Sequence, residues 1–211
     1  MDNKYEVFIK LLNFLIPKYS PEKIFKDFIF LFAISLSNKV YYNQDNNEMY
    51  QKIYNSYQKE EQYIFYAISV ELVRLFKNEK EPYDILGDIY EKVSKSDYLS
   101  SMKESLNKKI QNVFQINKKE NIGKLIDNNC GTGRSILAYA CTLKLFKLDF
   151  KYDLEVTATD YNLLNVFMTY IQLYFYQISA VVILIEKGTN QELMRLYTPE
   201  FEDDYECLVA A

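Results

Sequence analysis

The stretch LIDNNCGTGRSILAYA, residues 125–140, leads from an apolar run through a glycine turn into the start of a helix. Asp127 closes the apolar run, and Gly131 and Gly133 form the turn. Glycine permits backbone conformations and close approaches that a β-carbon obstructs. In parallel α/β proteins a turn of this kind lies at the edge of the sheet where ligands bind.

The sequence around this stretch alternates between strand and helix patterns. KLIDNN, LEVTATD and AVVILIE are short apolar or β-branched runs typical of buried strands. They alternate with RSILAYACTLKLFK and NLLNVFMTYIQLYFYQI, which are typical of helices. This order predicts an α/β fold in which right-handed crossovers join parallel strands.

The first half of the chain has a helical pattern and no strand signal. Ser20 followed by Pro21 predicts a helix that begins with a capping serine and a proline in its first position. Residues 47–77 predict one long helix or two abutting ones, and another helix is expected over residues 100–114. We therefore predict a helical domain over residues 1–115 and a partial Rossmann-like domain over residues 116–211.

The composition excludes several kinds of chemistry. The chain has no histidine, so it contains no Ser-His-Asp triad, no Cys-His pair and no imidazole metal ligand. Its three cysteines form no CxxC pair, and we expect them to be reduced. We predict no metal site and no catalytic residue in this chain.

The charge and the hydropathy pattern limit which partners are expected. A net charge of -4 and a pI near 5.1 disfavour binding to DNA by bulk electrostatics, although DNA is not excluded. A local basic face would be formed by Lys103, Lys108, Lys109, Lys118, Lys119 and Lys124, and an ordinary solvated lysine face is the favoured alternative. No signal peptide pattern or membrane-length apolar run is present, so we expect a cytoplasmic protein without a membrane partner.

The spacing of the glycine turn discriminates between ligands. A dinucleotide fingerprint needs a third glycine where Ile136 stands, and the Gly-Lys-Ser/Thr of a P-loop is absent. Asp127 and Asp160 end the first two predicted strands, and carboxylates there could bind an amino group and a ribose diol. This pattern favours S-adenosylmethionine. The alternative is a tight turn with two aspartates that cap helices.

Three segments carry a resemblance to a known family. DNNCGTGRSILAYA resembles the first motif, Asp-Pro-x-Cys/Ala-Gly-Thr/Ser-Gly-Arg, of N6-adenine-specific DNA methyltransferases, particularly the modification subunits of type I restriction-modification systems. ATDYNLLNVFMTYIQLYFYQISAVVI is similar to their second motif with the following helix and strand, and YDILGDIYEKVS to the end of their helical N-terminal domain. The resemblance spans about residues 80–186 and implies a helical lobe followed by a Rossmann-like methyltransferase sheet.

The resemblance also implies roles for individual residues. The residues that would line the methionine and ribose end of S-adenosylmethionine are Asp127, Cys130, Gly131, Thr132 and Gly133. Asp160 would take the ribose hydroxyls, and Tyr161 would cover the adenine face.

The chain departs from the family pattern at three places. Asn128 replaces the usual proline, and KSDYLSSMKE at residues 95–104 stands where relatives carry a Gly-x-Phe-Thr-Pro stretch. Adenine methylation also needs an (Asp/Asn/Ser)-Pro-Pro-(Tyr/Phe) loop, which binds the flipped base. None of the four prolines are adjacent, and YTPEF at residues 197–201 is either a degenerate form of that loop or a surface turn.

We therefore expect a truncated homologue of an adenine-specific DNA methyltransferase that lacks methyl-transfer activity. Its half sheet would expose the edge of the third strand, which the helical lobe, a second copy of the chain or another protein would cover, and this makes a protein partner or self-association expected. The expected role is phage or plasmid defence or counter-defence, of an anti-restriction or anti-CRISPR type, with or without bound S-adenosylmethionine. The alternatives are an active methyltransferase completed by a second chain and an interaction module whose glycine turn binds nothing.

Overall fold

The computed structural model describes residues 4–94 and 123–201 of the 211-residue chain. The predicted domain boundary near residue 115, the predicted helix over residues 100–114 and the altered segment 95–104 lie outside the described residues. The same holds for every lysine of the suggested basic face except Lys124.

The first described part is helical, as predicted. Its helices are α1 (Glu6–Asn13), α2 (Pro21–Val40), α3 (Gln44–Tyr54), α4 (Lys59–Asn78) and α5 (Ile85–Ser94). The Ser20 hydroxyl accepts the Lys23 N–H at 3.3 Å and caps α2, which confirms the predicted start of that helix. Residues 47–77 fall into two helices, α3 and α4, and a capping box formed by Gln58 and Glu61 starts the second. No helix in the described residues is long and apolar enough to cross a membrane.

The second described part contains the sheet. Its elements are β1 (Lys124–Asp127), α6 (Arg134–Thr142), a 3-10 turn (Leu143–Phe146), α7 (Phe150–Asp153), β2 (Glu155–Asp160), α8 (Leu163–Tyr176), β3 (Ser179–Ile185) and β4 (Glu192–Tyr197). The strand order is β1-β2-β3-β4, in which the first three strands are parallel and β4 is antiparallel to β3. The protein is an α/β protein with an N-terminal helical lobe and a mostly parallel sheet, consistent with a partial Rossmann-like methyltransferase fold.

The sequence prediction missed β4 and placed the open edge wrongly. The edge of β3 is not exposed, because β4 returns through the turn at Gly188 and pairs along it. The described part of the sheet has two edge strands, β1, which pairs only with β2, and β4, which pairs only with β3. A signal for this hairpin exists in the sequence, since Gly-Thr-Asn separates two strand-like runs.

Helix α8 joins the two lobes. It packs on β2 and β3 with one side and on α2 and α5 with the other. Aromatic pairs fill the second contact, with ring centroids 5.3 Å apart for Phe30 and Phe167 and 5.9 Å apart for Phe32 and Phe175. One continuous apolar core therefore runs from the helical lobe into the sheet.

The two faces of β1 differ sharply. Leu125 points into the core and is 8% exposed, whereas its neighbour Ile126 points the other way and is 70% exposed. The β1–α6–β2 and β2–α8–β3 crossovers run in the same direction across the sheet. Right-handed connections therefore place α6 and α8 on the same face of the sheet, the face to which Leu125 points. On the opposite face, burial increases from the exposed Ile126 through the half-buried Thr157 to the buried Val181.

Candidate functional site at the glycine turn

The glycine turn lies at the carboxyl ends of the parallel strands, as its sequence predicts. Asp127 ends β1 and pairs with Ala158 of β2, two residues before Asp160 ends that strand. Gly131 and Gly133 both have left-handed backbones, with φ of 57° and 88°. Such angles are strained for residues with a β-carbon, so both glycines are required by the turn itself.

The Asp160 carboxylate is completely buried and is hydrogen-bonded to the glycine turn. One of its oxygens accepts the Gly131 N–H at 2.9 Å and the Asn165 side-chain amide at 3.1 Å. The other accepts the Asn162 N–H at 2.8 Å. The residue is 0% exposed. Because three internal donors satisfy this carboxylate, its charge stabilises the turn and the start of α8.

Asp127 and Cys130 also have internal roles. The Asp127 carboxylate accepts the Asn129 N–H at 3.1 Å and the Ser135 hydroxyl at 2.8 Å, and it is almost fully buried. The backbone N–H of Cys130 bonds to the Thr159 carbonyl at 3.0 Å, and its thiol is buried. These contacts tie the turn to α6 and β2.

Thr132 and Gly133 pack toward the helical lobe and α8. The Thr132 hydroxyl is 0% exposed and donates to Asp84 at 2.7 Å, across the lobe boundary. A β-carbon at Gly133 would lie 3.3 Å from the Thr169 hydroxyl oxygen, which is closer than ordinary contact. Internal packing therefore accounts for the small residue at position 133 without any ligand.

A polar cluster that the sequence prediction missed lies between the two lobes, and we call it the Asp84 cluster. It consists of Asp84, Asp88, Thr132, Arg134 and Gln172. The buried Asp84 carboxylate accepts bonds from Thr132, from Arg134 Nε at 2.6 Å, from Gln172 Nε2 at 2.9 Å and from the Gly87 N–H. Arg134 also donates to Asp88 at 3.2 Å, so three elements, α5, α6 and α8, meet in one network.

The charges around Arg134 influence the pKa values in and beside the Asp84 cluster. Arg134 faces Asp84 at 2.6 Å, Asp88 at 3.2 Å and Glu91 at 3.7 Å. Burial alone would lower the pKa of Arg134, but these carboxylates overcome it and raise that pKa. Burial also raises the pKa of Glu91. The local sequence signal was Arg134 itself, because a cation in the first position of a helix opposes the helix dipole, but the sequence did not indicate which carboxylate pairs with it.

Tyr161 is the predicted site residue that remains accessible. The residue is 51% exposed, and the Lys187 ammonium lies 5.3 Å from the centroid of its ring. Lys187 comes from the turn between β3 and β4, so the hairpin reaches the carboxyl edge of the sheet. Exposed Asn128, Asn129 and Asn162 complete the rim of the turn.

The described residues do not fit bound S-adenosylmethionine in their present arrangement. A ribose diol needs an accessible carboxylate, but the Asp160 carboxylate is buried and bonded to the turn. The Thr132 hydroxyl faces Asp84, and the Gly131 N–H is already bonded. Cofactor binding at these residues therefore stays a prediction, and the geometry of the described residues gives it no support.

The YTPEF segment lies at the opposite end of the sheet from the glycine turn. The buried Thr198 accepts the Ala180 N–H at 2.8 Å and donates to the Ile178 carbonyl at 2.9 Å, at the start of β3. The length of β3 separates this segment from the carboxyl edge by roughly 20 Å. Residues 197–201 are thus a turn that closes β4, and they cannot act as a catalytic loop beside Asp127 or Asp160.

Comparisons with known proteins were made with both sequence and structure. The sequence matches no protein family and no curated protein. A structural match is a candidate class I S-adenosylmethionine-dependent methyltransferase of Listeria monocytogenes, at 16% sequence identity and a TM-score of 0.34. The match covers 86% of this chain and 51% of that protein, so the chain spans about half the length of the structure it matches.

Proposed function

We propose that the chain is a methyltransferase-like homologue that binds a protein partner along β1 and does not itself transfer methyl groups. The observation that carries this proposal is the open side of β1. In the described part of the sheet β1 pairs only with β2, so one side of its backbone has no strand partner. Ile126 beside that edge is 70% exposed. An edge strand with an exposed apolar side chain is a ready site for strand addition.

The absence of methyl transfer is supported by the position of the prolines. Pro199 is the single proline in residues 123–201, and it lies at the wrong end of the sheet for adenine chemistry. The resemblance to type I modification subunits supports a role in phage or plasmid defence or counter-defence, of an anti-restriction or anti-CRISPR type. Partner binding along β1 does not need a bound cofactor.

A matched pair of variants tests this proposal. Ile126→Glu places a charge on the open face of β1, whereas Tyr152→Glu places the same charge at an exposed site near the other end of the sheet. We expect the wild type and Tyr152→Glu to retain a partner copurified from the native host, and Ile126→Glu to lose it. Equal retention by both variants contradicts binding along β1.

The same geometry favours a second candidate function. A parallel strand added beside β1 from a separate chain would bring its carboxyl end next to Asp127, where a catalytic loop could act. This alternative is an adenine methyltransferase active only as a two-chain complex. We expect no N6-methyladenine when this chain is incubated with DNA and S-adenosylmethionine. Methylation on addition of a genetically adjacent chain with a Pro-Pro-Tyr/Phe loop would establish the alternative.

A further inference from the structure

We infer that the glycine turn is a structural clasp in which the Asp160 carboxylate occupies the position that a ligand anion would take. A glycine turn before a helix presents backbone N–H groups that bind anions in many proteins. Here the Gly131 N–H donates to Asp160 at 2.9 Å, so the anion belongs to the chain itself.

The hydrogen bonds of the turn are consistent with a clasp. The carbonyls of Cys130, Gly131, Thr132 and Gly133 accept bonds from Gly133, Thr169, Gln172 and Leu137, respectively. The Gly131 and Thr132 carbonyls are thus bonded to α8, whereas the bonds to the Cys130 and Gly133 carbonyls lie within the turn and the start of α6.

The clasp connects both lobes. The Thr169 hydroxyl donates to the Gly131 carbonyl at 2.9 Å, and the Gln172 amide donates to the Thr132 carbonyl at 2.5 Å. Both side chains come from α8 and are completely buried. Through Asp84, the same amide of Gln172 reaches α5 of the helical lobe. The clasp thus holds β1, β2 and α8 in register with the helical lobe.

This role predicts a response to mutation opposite to that of a cofactor site. A carboxylate that serves only to bind a ligand does not stabilise the ligand-free protein, so its replacement abolishes ligand binding and leaves the folding stability unchanged. In a clasp, replacing the carboxylate lowers the folding stability, and the wild-type protein does not bind the ligand in the first place. Asp160→Asn must turn an amide N–H₂ toward one of the three donors, because asparagine has only one acceptor oxygen.

The experiment combines thermal unfolding with calorimetric titration of the full chain by S-adenosylmethionine. We expect the titration of the wild type to give no saturable heat at millimolar S-adenosylmethionine. We expect the thermal unfolding midpoint of Asp160→Asn to be lower than that of the wild type by about 4–8 °C. Asn165→Ala, which removes one donor, should lower the midpoint by less and remain folded. Tyr161→Ala is the control, since this exposed neighbour should leave the midpoint within about 2 °C.

Two results would overturn the clasp. One is saturable binding of S-adenosylmethionine by the wild type that Asp160→Asn abolishes. The other is an Asp160→Asn protein that unfolds at the wild-type temperature. The inference goes beyond the proposed partner binding and can fail separately from it, because neither measurement involves the edge of β1.

Discussion

The two faces of β1 differ in how far the rest of the described protein covers them. On the Leu125 face, β1 is covered by crossover helices, and the Asp84 cluster ties the turn that follows β1 to the helical lobe. On the Ile126 face, the side chain lies in solvent and the neighbouring edge has no strand partner in the described part of the sheet. The difference teaches that, among the described residues, β1 is covered on the side of the helical lobe and uncovered on the Ile126 side and along its outer edge.

The largest expected effect comes from breaking the closed side at Asp84. Asp84→Ala leaves the half-buried Arg134 without its closest carboxylate and removes the acceptor of Thr132 and Gln172. We expect the free energy of unfolding to fall by about 2–4 kcal/mol, measured by urea denaturation. Glu192→Ala, which breaks an exposed pair with Arg195, should cost about 0.5 kcal/mol or less. Equal losses for the two variants would mean that the cluster does not hold the lobes together.

The contrast between adjacent residues of β1 gives the next largest effect. Leu125→Ala should lower the free energy of unfolding by about 2–4 kcal/mol, because it empties space in the core. Ile126→Ala should change it by about 0.5 kcal/mol or less, because that side chain is solvated. Urea denaturation at several protein concentrations measures both. A substantial cost at Ile126 that grows with protein concentration would indicate that a second copy covers this face.

The smallest expected effect is a pH dependence at the rim of the Asp84 cluster. Tyr83 donates to Asp88 at 2.5 Å, and this hydrogen bond, together with burial, raises the pKa of Tyr83 to about 12. Because the folded state holds this proton more tightly than the unfolded state, the contribution to stability is full below pH 10. It is lost as the pH rises from about 10 to about 12.

Tyr83→Phe tests this pH dependence by removing the titrating group. We expect the urea concentration at the unfolding midpoint to fall between about pH 9 and about pH 11, and to fall less in this variant than in the wild type. Tyr152→Phe, at a site 87% exposed, should behave like the wild type. An unchanged slope in Tyr83→Phe would assign the alkaline loss to other groups, such as Tyr5, whose pKa burial and Asp88 also raise.

The local patterns in the sequence predicted most of the fold. The strands β1, β2 and β3, the helix α8 and the Ser20 cap follow from periodicity and capping chemistry, which act over a few residues. The hairpin to β4 was missed because its strand is mostly exposed and only partly apolar, so its pattern does not resemble a buried strand. That omission led directly to the wrong open edge.

The candidate site was only partly predictable, for a physical reason. The sequence correctly predicted that Asp127 and Asp160 end neighbouring strands beside the glycine turn. It could not predict that Asp160 would bond to Gly131, because that bond joins residues 29 positions apart. The pairing of Asp84 with Arg134, 50 positions apart, was equally invisible to local patterns.

The hairpin that ends in β4 limits how many chains can join by adding strands to this sheet. β4 presents the charged Glu192 and Arg195, which discourage edge-to-edge pairing, and it lies against α2. Strand addition is therefore less favoured at β4 than at β1. Addition at β1 alone would give a complex of fixed stoichiometry, one partner or one second copy per chain, whereas addition at both edges would allow chains to propagate into a filament.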